Sequence, residues 1–411
     1  MPIFSKAAEG DIGFSVLQFG WGQGFGGDST ARFAAQLGLG YEAHTVYRRP
    51  LHLATLAMIG IGAARIVGHA RHHGTEVLIP RSIIPAAMTL LARRYLPDAR
   101  IVYDSDGFVA DERVEFGDWD GQGMTYRAFR GVEALICRAA DSVMTRSTHG
   151  AHILKQRIGP HLEEKDVYIV PNGKEPSDFH PGTASSRLRV REQLGVDDNA
   201  PLLIYVGSLG ERYLPEQILR FYAEVRRRRP DSHLVMLTGH QELARGAAEK
   251  AGIPADCLTI RRVKPDAVPR YLATADLGIS FRRATFSQRC VSPIKLAEYL
   301  LCGLPVIATT GVGDIDRQLS SSEGILVPDV SREILVDAAE DFLGRILPNR
   351  QAFRRQCRET GLRYFSLEKT ARGYRDAIEA IQGESEYSLV NADRLDERSE
   401  LRSVTPSPTL L

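Results

Sequence analysis

The stretch RRATFSQRCVSPIKLAEYLLCGLPVIATTGVG, Arg282 to Gly313, sets a helix start, a helix and a buried strand side by side. Ser292 followed by Pro293 reads as a cap and then proline at the first helical position, where the missing N–H costs nothing. The body IKLAEYLLC stops at Gly303, suited to the left-handed position after a helix. Pro305 then opens VIAT, an apolar run short enough for a buried parallel strand. This is half of a βαβ unit. Lys295 and Glu298 stand three apart on one face, with the lysine in the first turn. A cation there opposes the helix dipole, so an anion is expected beside it.

Working outward, 411 residues exceed one ordinary core and predict two α/β domains. A hydrophobic fraction of 43% with 25% charged residues is globular, and a net charge of +1 gives no general attraction to nucleic acid. The cysteines Cys137, Cys257, Cys290, Cys302 and Cys357 are scattered and lack CxxC spacing, so neither a disulfide framework nor a zinc site is indicated. The histidines show no HExxH, and no protein-built metal site is expected. MPIFSKAAEGDIG lacks an apolar signal core. The expected location is therefore the cytoplasm, with the inner face of the membrane allowed. Leu53 to Ala64 would span about 18 Å as a helix, too short to cross a bilayer, and reads as a buried helix, with a membrane-surface patch as the alternative.

In chain order, Phe14 to Phe19 is a strand running into the loop GWGQGFGGD, which carries Gly26 and Gly27 and precedes a helix beginning near Ser29. The loop is either a flexible turn or a close backbone approach to a ligand. Strands are expected at His44 to Tyr47, Glu76 to Pro80 and Ala99 to Asp104, and their alternation with helices predicts a parallel, doubly wound sheet. Asp104, Asp106 and Gly107 fall at the carboxyl end of the third of these, where such sheets bind ligands. Two carboxylates there fit acceptor binding or proton handling; the alternative is a solvated turn. A helix from Thr125 to Ala139, the strand in ADSVMTRS and YIVPNG (Tyr168 to Gly173) follow. The boundary is drawn at 182. The strand pattern restarts at PLLIYVGSLG (Pro201 to Gly210) and continues at His233 to Gly239, Leu258 to Val263, Asp276 to Phe281 and Leu304 to Thr309. RRRR at Arg226 to Arg229 ends a helix, where cations favour the dipole. Ser366 to Ile381 is amphipathic, and the tail from 383 to 411 is expected to be disordered.

The tract EYLLCGLPVI, Glu298 to Ile307, resembles the second half of the Glu-seven-residues-Glu motif of the retaining, nucleotide-sugar-dependent glycosyltransferases of family four, which have the GT-B fold. SPIK and GVGD (Gly311 to Asp314) resemble a bacterial subgroup of that family. The series Glu133, Ala-Asp, Ser147 and Pro-Asn-Gly resembles the part that closes the first domain. The resemblance covers roughly residues 10 to 382. It implies α/β architecture with two Rossmann-like doubly wound domains facing a cleft: an acceptor-side domain 1–182 joined by a crossing helix 366–382, and a nucleotide-sugar-binding domain 183–365.

It further implies that Glu298 binds the donor ribose, that Arg212 with Lys295 or Arg282 holds the diphosphate, and that the Ser292, Pro293 and Ile294 backbone meets the pyrophosphate. Gly26 and Gly27 would face the cleft. Asp104 and Glu112 match the acidic pair at the acceptor side. Cys290 stands where the first glutamate would meet the donor sugar, and Ser208 where a first cation would stand. The implied activity is transfer of a sugar from a nucleoside diphosphate sugar to a polysaccharide, lipid-linked or small-molecule acceptor, without cofactor or metal. The alternatives are a non-catalytic binding or regulatory module, which Cys290 favours, and a nucleotide-sugar epimerase.

Overall fold

The computed structural model describes residues 1–8, 12–20, 26–46, 51–163 and 167–382. The tail 383–411 and Tyr47 lie outside the described residues. In the first half, β1 (Ser15–Gly20) pairs in parallel with β2 (Gly40–Thr45). A four-stranded parallel sheet follows, in the order β3 (Val77–Leu78), β4 (Arg100–Ser105), β5 (Ser142–Thr145), β6 (Val167–Ile169). The second half holds a six-stranded parallel sheet made of β7 (Leu202–Val206), β8 (His233–Leu237), β9 (Leu258–Arg261), β10 (Leu277–Ser280), β11 (Val306–Thr309) and β12 (Gly324–Val327). Its spatial order is 12-11-10-7-8-9.

The six-stranded sheet is buried on both faces. Leu202, Ile204 and Val206 enter one core with Leu296, Leu300 and Val306, while Leu203 and Tyr205 enter another with Ile218, Phe221 and Ile307. Successive side chains of a strand point to opposite faces, so an unbroken apolar run serves both cores.

Three expectations are corrected here. The strand expected at His44 to Tyr47 runs instead from Gly40 to Thr45, where its whole length pairs with β1. β12 is a strand beyond those expected; it pairs with β11 so closely that only glycine fits at position 324, since a Cβ there would meet Val306 O. The apolar run at Leu53 lies in the helix Leu51–His73, which is not buried all round. Ala54, Met58, Ala63 and Ile66 face inward, whereas Leu56 and Ile61 are 68% and 48% exposed. Among the described residues no helix is long and apolar enough to cross a membrane.

The last helix, Leu367–Gln382, lies on the first half, where Ala371, Tyr374, Ala377 and Ile378 pack with Val102, Met144 and Val170. Its approach is tight, since a Cβ at Gly173 would meet Ser366 O at 2.4 Å. Polar bonds fix its angle. The Thr370 hydroxyl donates to Pro171 O at 2.9 Å, and the Tyr374 hydroxyl donates to Asp104 Oδ2 at 2.5 Å. Arg146 meets the other Asp104 oxygen at 2.5 Å and also donates to Asp106 and Val170 O.

Because Asp104 and Arg146 are both buried, removing one partner leaves an uncompensated charge. We expect Asp104→Ala to cost about 3–5 kcal/mol in urea unfolding. Tyr374→Phe, which removes one bond to a charged group, should cost about 1.5–3 kcal/mol. Equal and negligible losses would remove this network from the account of how the last helix is held.

Candidate functional site

Parallel strands of the second sheet deliver their carboxyl ends to one edge, and the loops after β7, β10 and β11 meet there. The backbone N–H of Arg282 donates to Thr309 Oγ1 at 2.9 Å, and that hydroxyl donates back to Arg282 O at 2.8 Å. These bonds lock the turn after β10 to the end of β11. Between them the helix Ile294–Leu301 begins. It starts one residue later than the sequence suggests: Pro293, in extended backbone, is the cap residue, and Ser292 does not cap the helix. Ser292 is drawn across to the first half. Its hydroxyl accepts the Asn172 N–H at 3.1 Å and its carbonyl accepts from Asn172 Nδ2 at 2.8 Å. Gly303 closes the helix with φ +66°, as its sequence position indicates.

Lys295 rises from the first turn into an aromatic corner, its Nζ 4.1 Å from the Tyr205 ring centroid and 4.8 Å from that of Tyr213. The ammonium is buried and makes no hydrogen bond. Arg282 stacks on the same Tyr213 at 5.3 Å, and its Nε is likewise buried without a hydrogen bond. Burial, reinforced by Arg282, pushes the Lys295 ammonium down to about 7. Burial also lowers Arg282, with Arg212 adding repulsion. Two desolvated cations on one tyrosine are an arrangement that an anion relieves. Gly207 borders them, since a Cβ there would lie 3.7 Å from Lys295 Nζ.

The third cation, Arg212, is held by the first half: its Nη2 donates to Glu112 Oε1 at 2.5 Å. Thus the structure brings Arg212, Arg282, Lys295 and Glu112 together. Glu298 lies one turn further along the same helix but does not pair with Lys295. Its carboxylate meets Lys174 Nζ at 2.8 Å. The remaining expected residues go elsewhere. Asp104 is 1% exposed, and both its oxygens are engaged by Arg146 and Tyr374, so it presents no oxygen to a ligand. Residues 21–25 of the glycine loop lie outside the described residues. Gly26 (φ +67°) sits against Ala43 of β2, and Gly27 caps the helix Asp28–Gln36.

Cys290 is the largest departure from expectation. Its side chain does not line the mouth of the second sheet; it is fully buried in an apolar cluster of the first half with Tyr103, Phe108, Ile136 and Leu154. The Phe108 N–H donates to Sγ at 3.3 Å, and burial pushes the thiol up to about 12, so it stays neutral. Gly150 makes the room, because a Cβ there would lie 3.0 Å from Cys290 Cβ.

Around this plug the two halves are stitched. Glu115 accepts from Thr285 Oγ1 at 2.6 Å, from the Ser287 N–H at 3.0 Å and from the Ser287 hydroxyl. Ser147 Oγ donates to Arg289 O at 2.7 Å. Asp314 of the GVGD tract accepts the Thr148 N–H at 2.7 Å, at the start of the helix Thr148–Ile158, where a carboxylate suits the dipole. Glu115, Arg146, Lys174 and the role of Asp314 were not found by sequence reasoning. The only local signal was Asp314 closing a motif already singled out.

Two facing α/β halves with parallel sheets, joined by a last helix that returns to the first half, define the GT-B fold of glycosyltransferases. Residues 186–360 match the family model for glycosyl transferases group 1. Sucrose-phosphate synthase from Thermosynechococcus elongatus superposes with TM-score 0.69 at 16% identity, over 90% of this chain and 100% of that one. Anabaena HepE, solved in complex with UDP and glucose, gives 0.66 at 15%, over 88% and 99%. A GDP-mannose-dependent alpha-(1-6)-phosphatidylinositol monomannoside mannosyltransferase from Mycolicibacterium smegmatis is 25% identical over 178 residues, 42% of this chain. That match spans 46% of the enzyme's own length.

The plug predicts the outcome of restoring the expected glutamate. Cys290→Glu places a carboxylate in a dry site where burial, with Asp111 and Glu112 adding to it, already disfavours a negative charge. Its urea-unfolding stability should fall by about 3 kcal/mol or more. A variant as stable as the parent would mean that position 290 can turn outward.

Proposed function

We propose that this protein is a glycosyltransferase that moves a sugar from a nucleoside diphosphate sugar to a polysaccharide, lipid-linked or small-molecule acceptor, with retention, as a member of the family-four subgroup. The observation that carries the reading is that the Lys295 ammonium, in the first turn of a helix, and the Nε of Arg282 beside it are both buried without a hydrogen bond. The donor diphosphate sits there, against the backbone of Ser292 to Ile294 at the helix start and the guanidinium of Arg212. Glu298, one turn on, takes the ribose hydroxyls.

Arg212 is held by Glu112. A phosphate oxygen replaces that carboxylate, so donor binding turns Glu112 toward the acceptor side. No side-chain nucleophile and no metal enter the step. Holding donor and acceptor together lowers the entropic part of the barrier, and the three cations stabilise charge on the leaving diphosphate. Since Cys290 is withdrawn, contacts to the donor sugar come from other residues. The exposed Leu56 and Ile61 fit a peripheral place at the inner face of a cytoplasmic membrane, where a lipid-linked acceptor would be met.

A second reading, a non-catalytic module, draws on the Cys290 plug and the stitched halves. A thermal-shift and turnover panel of nucleoside diphosphates and their sugars separates the two. Binding with hexosyl transfer supports the enzyme. Binding without transfer or hydrolysis of any donor favours the module.

The Lys295 environment predicts how binding depends on pH. With a free-state value near 7, the amine is mostly neutral at pH 8, and a bound diphosphate favours the charged form. Binding at pH 8 should therefore take up close to one proton, as calorimetry in two buffers would measure, and affinity should weaken as pH rises above about 7. At pH 6 the uptake by this group should vanish. Lys295→Met should abolish the uptake and weaken nucleoside diphosphate roughly tenfold or more while sparing the free nucleoside. Equal losses for both ligands would rule out the phosphate role.

Glu298→Gln tests the ribose role. It should weaken ribonucleotides by about 1.5–3 kcal/mol and spare 2′,3′-dideoxy analogues. A variant that binds both kinds as the parent does would leave Glu298 with its Lys174 pairing alone.

A further inference from the structure

The helix Leu51–His73 ends in HARHH, and His69 and His73, four apart, share one face of it. That face lies over β1 and β2. His69 Nε2 is 2.6 Å from Ser15 Oγ at the start of β1, and its Nδ1 is 2.9 Å from Glu42 Oε1 of β2. The ring centroids of His69 and His73 are 4.3 Å apart. His44, two residues beyond Glu42 and on the same face of β2, brings Nε2 to 3.4 Å from the other carboxylate oxygen. That nitrogen is buried and has no hydrogen bond. One ligand atom each from Glu42, His69 and His73 lie within 4.8 Å of one another.

We propose that Glu42, His69 and His73 form a binding site for one divalent transition-metal ion of the zinc class, with His44 beside it. The Ser15 hydroxyl at Nε2 can serve as the outer-sphere partner of a metal-bound His69, which leaves Nδ1 facing Glu42 as the ligand atom. Without an ion the 2.9 Å contact is an Nδ1–H donated to Glu42, and a bound metal ion takes the place of that proton. Two imidazoles and one carboxylate suit zinc, nickel or copper, whereas magnesium and calcium take oxygen ligands. A tetrahedral ion with bonds of about 2.0–2.2 Å needs ligand atoms about 3.4 Å apart. The exposed His73 side chain can supply that closure by rotating.

The expectation of no metal site rested on the missing HExxH. The i, i+4 histidine pair was in the sequence, but its third ligand comes from a strand 27 residues away. No residue of the Lys295 cluster takes part, so this inference stands or falls apart from the proposed sugar transfer. A bound ion would tie the two-stranded β1–β2 ladder to the helix that runs over it.

The test uses untagged full-length protein, freed of metal by chelator and dialysis, then titrated with Zn2+ against a chromophoric competitor. We expect one equivalent per chain. His73→Ala and Glu42→Gln should each weaken binding at least tenfold, and His72→Ala, one residue off the shared face, should leave it unchanged. Co2+ should give a visible band without thiolate charge transfer, since all five cysteines are buried. Substoichiometric zinc, unchanged affinity in both His73→Ala and Glu42→Gln, or a thiolate charge-transfer band would overturn the proposal. His73 is exposed, so loss of folding does not confound its variant.

Discussion

A parallel strand pair can be joined only by a crossover that carries the chain back to the same end of the sheet. Each crossover therefore releases its loop at the same edge. In the second half this collects the ends of β7, β10 and β11, and with them Gly207, Arg282 and Thr309, around the start of the helix Ile294–Leu301. The burial of the sheet on both faces makes this edge rigid: the cores on either side fix each strand's register, and the register fixes where each loop leaves. The site's geometry is inherited from that constraint.

On this edge, charge is arranged against its own solvation. Lys295 and Arg282 gain from the π-faces of Tyr205 and Tyr213, but a ring replaces only part of the water that an ammonium loses. The chain tolerates the cost because the aromatic corner is part of the core: Tyr205 is fully buried, and its hydroxyl donates to Ser208 O at 2.5 Å. Under the proposed function that cost is what preorganises the corner for a diphosphate.

The second organising feature is the seam between the halves. The turn Ser287–Cys290 and the residues just after it belong to the second half by sequence, yet they are bonded to Phe108, Glu115, Ser147 and Asn172 of the first. The buried thiol gives this seam an apolar centre, and Glu115 and Asp314 give it charged ends that accept backbone N–H groups. Arg212–Glu112 is different in kind. It is partly exposed and joins a cation of the second half to a carboxylate of the first, apart from the apolar centre.

The sequence by itself determined the alternation of strands and helices apart from β12, the parallel sheets, the stop at Gly303 and the amphipathic face of the last helix. Each of these is written in local apolar periodicity or in a single backbone preference, and needs no distant partner to be read. What the tertiary structure decided is which partner each polar group finds. Ser292 takes Asn172, 120 residues away, instead of capping its own helix. Glu298 takes Lys174 over the neighbouring Lys295, and Asp104 takes Tyr374, 270 residues away. β12 pairs with β11 along its length, and Gly324 is the residue that the Val306 backbone leaves room for. Cys290 could be recognised in sequence as a departure from a motif, but not as the apolar centre of an interface, because nothing near it in the chain records that Gly150 leaves a gap of its size. Electrostatic and steric complementarity act between surfaces that meet only after both halves have folded, and a linear pattern carries no record of that meeting.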